Sequence, residues 1–576
     1  MGSGKGIWAL VVGVGTLAVA SAVSTGRGDA LNRTELDKYG GCSGVSVPGG
    51  GTGFFRTQKV ADRWVFVTPA GNPFWMLAVY SIGPMDGGKL YGQALKQKYE
   101  GAPSGFVVQA VRRLRSWGFN AIGEYSTEYV LPVGTYGRKD GNPEKIPFIR
   151  MIRPSGYGTK PKIGVKELIS GVDPTIYTGW RGAFPDLFDP KFEAFAAATA
   201  SDQIKQFTQP LDDTPWLIGT TTDDGDDLTG FGPGPEAHLA KVHPHLGWIV
   251  AVTAPTQKDN PKLKVTYDDA TVHTKIAWRD FLIKKYKSVA SLNSAWGAHY
   301  TTWDSDGGWP NGAGLLDESG RHPWIGNDYQ RLSGASKGAA ADMDEFLGIL
   351  AGRYFSVVSQ AVRSATPHHL VFGPASISAG ARPQILEAAG RYLDVLQVYS
   401  PPDRLDLIAN AYTRSGKPVF VWSTLTSQAD FDLASANVKG WPHYDFPSQE
   451  GRGRAYATYV NGLFNLQATD GIYPVAGIDW WEWVDKIVGG EKMNFGLVSV
   501  HDDAYDGKED KISQAKDEWS YVTGGEQKDH GDFLSTVRET NVGITTHLST
   551  FLRPAASENR SIRNCVSPPP AFSKAR

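Results

Sequence analysis

The stretch WLIGTTTDDGDDL, residues 216–228, joins an apolar run to a dense group of carboxylates. Leu217, Ile218 and the three threonines that follow have the aliphatic and β-branched character of a buried strand. Four aspartates then follow: Asp223, Asp224, Asp226 and Asp227. Crowded carboxylates raise one another's pKa, which suits a proton donor, whereas a solvated acidic loop or a calcium loop is the alternative. The pattern predicts a barrel strand that delivers catalytic acids to the strand's C-terminal end.

Strand and helix patterns alternate along the chain. Predicted strands lie at 74–82, 119–122, 146–152, 217–222, 369–377, 393–400, 417–424 and 475–483. Helical spacing of apolar residues occupies 106–117, 192–207, 343–364, 383–392, 405–413 and 453–468. The eight strands, alternating with helices, predict an α/β fold, the (β/α)8 TIM barrel, with the active site at the C-terminal strand ends. A doubly wound open sheet is the alternative, although no Gly-rich dinucleotide turn follows the first strand.

The length of 576 residues exceeds the roughly 250 of a plain barrel, so large loop insertions are expected. We divide the chain into a signal peptide (1–22), a Gly-rich linker (23–53), a barrel with a short N-terminal β-hairpin (54–506) and a C-terminal tail (507–576). The main insertion spans 226–341. Within it, 277–303 predicts a helix followed by a second short helix.

The first residues have the order of a secretory signal. Lys5 precedes the apolar run 7–20 and the small-residue site Ala20-Ser21-Ala22, which predicts a secreted protein, extracellular or periplasmic. An uncleaved N-terminal anchor is the alternative. Because exported proteins tend to pair their cysteines, Cys42 and Cys565 are predicted to form a disulfide.

Composition points to a sugar-binding protein. A net charge of -2 gives no bias towards nucleic acid or an anionic membrane, and no Cys/His cluster has metal-site spacing, so neither cofactor nor metal is predicted. The sequence does not indicate an oligomeric state. The chain contains 18 Trp and 23 Tyr, whose flat rings stack on sugar faces, so a polysaccharide or oligosaccharide is the expected partner. Predicted substrate-binding residues lie in the insertion and at the strand ends: Trp296, Tyr300, Trp303, Tyr399, Trp422, Trp480, Trp481 and Trp483. Packing within the insertion is the alternative role for the first three.

Seven stretches between about Phe54 and Asp506 resemble the β-agarase family and its β-galactosidase relatives, glycoside hydrolases of clan A. They are DRWVFVTPAGNPFWMLAV, LRSWGFNAIGEYS, PWLIGTTTDD, FLIKKYKSVASLNSAWGAHYTTWDS, GKPVFVWS, RGRAYATYV and NFGLVSVHDDAYD. The resemblance implies a (β/α)8 barrel that hydrolyses β-linked galactosides with retention. It also implies one catalytic glutamate after strand four and one at the end of strand seven.

The sequence departs from the family at these two positions. The family has Asp-Asn-Glu after strand four, where this chain has Asp223, Asp224 and Gly225. Ser423 stands where the strand-seven glutamate is expected. A retaining glycosidase needs two carboxyls about 5 to 5.5 Å apart, and neither glycine nor serine supplies one.

Other carboxylates reach the predicted mouth. Glu124 follows strand two, and Glu482 lies among tryptophans at the end of strand eight. Poor solvation favours the protonated form of such a glutamate, although a hydrogen-bonded core glutamate is the alternative. We therefore predict Asp224 or Asp226 as a catalytic partner of Glu482, helped by Glu124. A wider carboxylate separation would make the enzyme inverting.

Two main functions are open on the sequence alone. One is a secreted, agarase-like glycoside hydrolase, and the other is a non-catalytic glycan-binding or structural descendant of such a barrel. A calcium-bound structural protein is disfavoured, because hard-cation loops space their ligands at alternate residues.

Overall fold

The computed structural model describes residues 36–99, 103–134, 139–155, 187–206, 211–224, 273–299, 303, 337–375, 377–423, 446, 448–487, 494–508 and 531–552. The predictions made for the signal peptide, Asp226, Tyr300 and Cys565 lie outside these ranges. Within them, no helix combines the length and the apolar character needed to cross a membrane.

A small antiparallel sheet precedes the barrel. It consists of β1 (Arg56–Val60), β2 (Arg63–Val67) and β3 (Pro73–Phe74), which pair in that order. Phe66 points into the barrel, where its ring stacks on Phe372 with centroids 5.7 Å apart. This sheet therefore closes the N-terminal end of the barrel. It corresponds to the short N-terminal β-hairpin extension predicted from the sequence.

Parallel strands form the barrel itself. They are β4 (Met76–Val79), β5 (Ala121–Ile122), β6 (Phe148–Ile152), β7 (Leu217–Asp224), β8 (Leu370–Ala375), β9 (Ile377–Ser378), β10 (Leu396–Tyr399), β11 (Val419–Ser423) and β12 (Val475–Trp480). Their order is β8-β7-β6-β5-β4-β12-β11-β10-β9. Because β9 begins two residues after β8 ends, these two segments together make the fifth barrel strand and close the ring. The predicted (β/α)8 barrel is confirmed.

Helices cover the outside of the strands. The described helices are α1 (Gly88–Lys98), α2 (Pro103–Ser116), α3 (Phe192–Ile204), α4 (His273–Tyr286), α5 (Val289–Trp296), α6 (Lys337–Ala365), α7 (Pro383–Tyr392), α8 (Leu405–Ser415), α9 (Gln449–Phe464) and α10 (Leu534–Leu552). Apolar residues between strands and helices form the main core, and a second core fills the barrel interior near its N-terminal end. The C-terminal strand ends are left for polar and aromatic side chains.

The described residues on either side of the barrel, 36–53 and 531–552, pack on it. Cys42, Val45 and Val47 are buried, and Tyr39 contacts the Trp216 ring at 4.7 Å, so the described part of the linker is packed. Its glycines suggested a linker, but apolar side chains between them bury against the barrel. Beyond the predicted barrel end, α10 packs on α9.

Helices α4 and α5 form the described part of the insertion, as predicted, and dock on α6 through one carboxylate. Asp342 on α6 accepts hydrogen bonds from the Tyr286 hydroxyl and the Trp296 indole N–H, both at 2.7 Å. Lys285 adds an ion pair at 2.6 Å to the same carboxylate. The side chain of Asp342 is buried, so these donors offset the cost of burying its charge.

The segment 494–506 packs across the C-terminal side of the barrel through two buried aspartates. Asp485 accepts hydrogen bonds from the backbone N–H of Gly496 at 2.9 Å and from the Tyr505 hydroxyl at 2.5 Å. Asp502 accepts from the Tyr91 hydroxyl and from Arg113, each at 2.9 Å. The segment is thus fixed to the strand-eight end and to helices α1 and α2.

Candidate active site

Two carboxylates meet inside the barrel close to the C-terminal strand ends. Asp479 is on β12, and Glu124 follows β5. The backbone N–H of Glu124 donates to Asp479 Oδ2 at 3.4 Å, and the side chain of Gln397 on β10 donates to Glu124 Oε2 at 3.1 Å. All three side chains are buried. Burial, and then the negative charge of Glu124, raise the pKa of Asp479 well above its usual range.

Gly123 makes room for this carboxyl pair. A Cβ atom at position 123 would lie 2.0 Å from Asp479 Oδ1, closer than any real carbon and oxygen atoms approach without a bond. The absence of a side chain at position 123 therefore permits the contact between Glu124 and Asp479. Because Glu124 is next in the chain, its position depends on the same glycine.

A layer of aromatic rings lies at the same end of the barrel. The Trp422 ring is 4.9 Å from that of Trp481 and 5.4 Å from that of Tyr399. We use the name aromatic layer for the whole set of rings in contact: Tyr80, Tyr125, Tyr399, Trp422, Trp481 and Phe495. Such flat, partly apolar surfaces are suited to sugar rings.

Positive charges border this layer on two sides. The Lys486 ammonium lies 4.9 Å from the Trp481 ring centroid, and the Arg153 guanidinium lies 5.3 Å from that of Tyr125. Arg153 also donates a hydrogen bond to the Tyr125 hydroxyl. These contacts hold the outer rings of the layer in place.

The fourth barrel strand, β7, ends at Asp224, two residues beyond the end predicted from the sequence. Its penultimate residue, Asp223, has a φ of 62°, which is unusual for a residue other than glycine. The buried Asp223 side chain accepts hydrogen bonds from Ser155 Oγ and the Tyr354 hydroxyl, each at 2.6 Å. Burial raises the pKa of Asp223 to about 6, against the opposing effect of these donors. These hydrogen bonds therefore fix the end of β7 at Asp223. The backbone of the next residue, Asp224, pairs with that of Ala375 on β8.

The other predicted acid positions lie at the ends of β11 and β12. β11 ends at Ser423, the position where the resemblance implies a glutamate. Glu482 lies two residues beyond the end of β12 and is fully buried. Its neighbour Trp481 is in the aromatic layer, so Glu482 lies close along the chain to the rings of the mouth.

Three of the predicted substrate-binding tryptophans, Trp296, Trp480 and Trp483, lie in the hydrophobic core rather than among the rings of the aromatic layer. Trp480 packs against Tyr456, and Trp483 against Trp117, both on the helix side of the barrel wall. Trp296 is buried with its indole N–H bonded to Asp342. Strand alternation explains the position of Trp480, because its side chain points to the opposite face from that of Asp479.

Trp303 is partly buried and packs against the same core. In contrast, the predicted residues Tyr399, Trp422 and Trp481 do come together in the aromatic layer. Sequence reasoning missed further polar and aromatic groups of the mouth: Asp479, Gln397, Tyr80, Tyr125 and Arg153. Alternation along the strands was the available signal, since Tyr80 is two residues from Ala78 and Tyr399 two from Gln397.

Sequence comparison gives no matching family model. It does give two β-agarases of Vibrio sp. (strain JT0107). β-Agarase B is 23% identical over 512 residues, covering 79% of this chain and 47% of the relative. β-Agarase A is 22% identical over 519 residues, covering 78% of this chain and 44% of the relative. The chain thus spans less than half the length of these curated relatives.

Solved structures share the fold. An exo-β-agarase superposes with a TM-score of 0.61 at 19% identity, covering 89% of this chain and 68% of that one. A second agarase gives a TM-score of 0.63 at 18% identity, with the same coverage. At such low identity, these similarities establish the fold. The resemblance predicted from the sequence is confirmed: this chain is a (β/α)8 barrel protein that is similar to β-agarases in sequence and to solved agarases in fold.

Proposed function

We propose that this chain is a secreted glycoside hydrolase that acts on β-linked galactan polysaccharide. The observation that carries the proposal is the aromatic layer beside buried carboxyl groups at the C-terminal end of an agarase-like barrel. Barrel enzymes carry their chemistry at that end. Rings beside acids suit a site that must bind a sugar and transfer a proton to it.

The proposed chemistry uses one carboxylic acid and one carboxylate. The acid protonates the glycosidic oxygen as the bond from C1 breaks, and the carboxylate takes a proton from the water that attacks C1. Asp224 or Asp226, at or after the end of β7, and Glu482, after β12, are the proposed pair, with Glu124 assisting. The family's glutamate positions at 225 and 423 hold Gly and Ser, so the proposed pair differs from the family's, and a separation wide enough for a water between the two carboxyls would make the enzyme inverting.

A second candidate is a glycan-binding protein without turnover. The complete burial of Glu482 and the serine at the end of β11 favour it. Such a protein would keep the aromatic layer and bind galactan while leaving the glycosidic bond intact. The two candidates therefore differ in bond cleavage rather than in recognition.

One experiment separates them. The purified chain is incubated with a panel of galactans and other polysaccharides, and both binding and newly formed reducing ends are measured. Release of galactose-containing oligosaccharides supports the hydrolase, whereas binding without release supports the second candidate. The variants Asp224→Asn and Glu482→Gln test the assigned acids, and Glu387→Gln on the exposed surface of α7 is the matched control.

Export and the disulfide are part of the same proposal. Lys5, the apolar run 7–20 and Ala20-Ser21-Ala22 support cleavage with a mature start near Val23. N-terminal sequencing of secreted protein tests this, and a start at Gly2 would refute it. Pairing of Cys42 with Cys565 predicts one cross-linked peptide after proteolysis without reductant, and two free thiols in that digest would refute the pairing.

A further inference from the structure

We propose that Glu124 and Asp479 hold one proton between them, and that this protonated pair positions the aromatic layer at the barrel mouth. The role of the layer in sugar binding rests on the proposed function, but the shared proton does not. Asp479 and Glu124 act here as positioning residues, since their buried side chains work through the rings above them.

The pair joins parts of the barrel that are far apart in sequence. Asp479 belongs to the eighth strand, Glu124 follows the second, and Gln397 belongs to the sixth. The side chain of Glu124 accepts a hydrogen bond from the Gln397 amide on one side. The backbone N–H of Glu124 donates a hydrogen bond to the Asp479 carboxyl on the other side. The interior of the barrel is therefore tied together by one polar cluster.

Two carboxylates in such contact cannot both carry a charge at neutral pH. Both side chains are at most 1% exposed, so water screens their repulsion poorly. One proton shared between them converts the repulsion into a hydrogen bond, as in other carboxyl pairs. Among the described residues, Tyr80 after β4 and Tyr399 on β10 bring titratable side chains to the same inward faces, and Tyr125 follows Glu124 in the chain.

Backbone hydrogen bonds connect the pair to the rings. The N–H of Ser81 donates to the Glu124 carbonyl at 2.8 Å, and the N–H of Tyr80 donates to the Trp480 carbonyl at 2.9 Å. Asp479 is also in register with Trp422 on β11. Glu124 is therefore next in the chain to Tyr125. Asp479 is two residues from Trp481 and is paired with Trp422 on the neighbouring strand. Loss of the proton would separate the carboxylates and displace these rings.

The first test needs no substrate. Infrared spectroscopy of the wild-type chain should show a protonated carboxyl near neutral pH that is absent in Asp479→Asn. Above the pKa of an unfolded aspartate, the folded chain keeps a proton that the unfolded chain releases, so rising pH destabilises the fold. The unfolding equilibrium constant of the wild type should therefore rise about tenfold per pH unit relative to Asp479→Asn until the pair ionises.

Suitable controls separate this effect from general changes. Asp280→Asn replaces an aspartate that is 59% exposed on α4 and should follow the wild-type pH dependence. Glu124→Gln tests the other member of the pair and should also remove the carboxyl signal. If Asp479→Asn does not fold, comparing the infrared pH titrations of the wild type and Glu124→Gln still tests whether the pair holds a proton. A protonated-carboxyl signal near neutral pH that is the same in the wild type, Asp479→Asn and Glu124→Gln would overturn the proposal.

The second test concerns the rings. Buried carboxyls ionise as high as about pH 9, so tryptophan fluorescence and galactan affinity are followed from about pH 5 to about pH 10. Both should decline together at alkaline pH in the wild type and stay constant in Asp479→Asn. A fluorescence change that is equal in both proteins would overturn the positioning role. If no galactan binds but the fluorescence difference persists, the proposed function fails and the positioning role stands.

Discussion

The hydroxyl of Tyr354, near the middle of α6, donates a 2.6 Å hydrogen bond to Asp223 at the end of β7. The same carboxylate accepts from Ser155 after β6, so one side chain joins two strand ends and a helix. The backbone of Asp223 adopts a left-handed conformation, which a non-glycine residue maintains only when its surroundings fix it. The hydrogen bonds of Asp223 therefore also fix the backbone at the next residue, Asp224.

Tyr354→Phe should destabilise the fold more at about pH 8 than at about pH 5. The hydroxyl stabilises the charged form of Asp223, whose pKa is about 6, so its loss matters most where that form dominates. A hydrogen bond to a charged group contributes about 1.5–3 kcal/mol to the free energy of unfolding. Urea unfolding at both pH values measures the effect. Tyr412→Phe is the control, because its partner Asp470 is exposed. Equal destabilisation at both pH values would contradict this role for Asp223.

Gly123→Ala should disrupt the carboxyl pair. Its Cβ would overlap Asp479 Oδ1, and the strand interior leaves little freedom to move, so we expect a loss of stability of about 2 kcal/mol or more. Gly92→Ala on α1 is the control: its Cβ meets no atom within 4 Å, and alanine favours the helix. Thermal unfolding of both variants measures the contrast. An unchanged stability of Gly123→Ala would show that the pair lies elsewhere.

Trp422→Leu should weaken galactan binding by about tenfold, since stacking of an aromatic ring is worth about 1 kcal/mol or more. Trp216→Leu removes a comparable ring near the opposite end of the barrel, where it contacts Tyr39. That control should leave affinity unchanged. Isothermal titration with galactan oligosaccharides compares the two variants. Equal loss of affinity in both would argue against the aromatic layer as the binding surface.

Trp296→Phe should lower stability by about 1–3 kcal/mol, because the buried carboxylate of Asp342 loses its indole donor. Galactan affinity should not change, since the ring packs in the core. Denaturant unfolding and a binding titration check both statements. A fall in affinity without a fall in stability would restore the substrate-binding role that the sequence predicted for Trp296.

The barrel could be predicted from the sequence because its signal is repeated. Each buried strand is a short apolar run and each helix has apolar residues at helical spacing, so an error of a few residues at one boundary does not change the count. Helix α7 spans the predicted residues, Pro383–Tyr392, and the proline at its first position marks where it begins. Helix α10 was missed because its threonines and serines hide an apolar face that includes Val537 and Ile544.

The site was predictable only in part. Acidic and aromatic residues at strand ends were identified, but which face each side chain takes depends on register, and one position separates Asp479 in the interior from Trp480 in the core. The contact of Glu124 with Asp479 joins residues 355 positions apart. No local pattern encodes such a contact; it follows from closure of the barrel.

Release of reducing ends from β-linked galactan by the purified chain, compared with Glu482→Gln, tests the central claim most directly. If the chain is a glycoside hydrolase with Glu482 in its chemistry, the wild type should release oligosaccharides and the variant should be slower by about a hundredfold, with little change in affinity. Binding of galactan by the wild type without any release of reducing ends would contradict the claim.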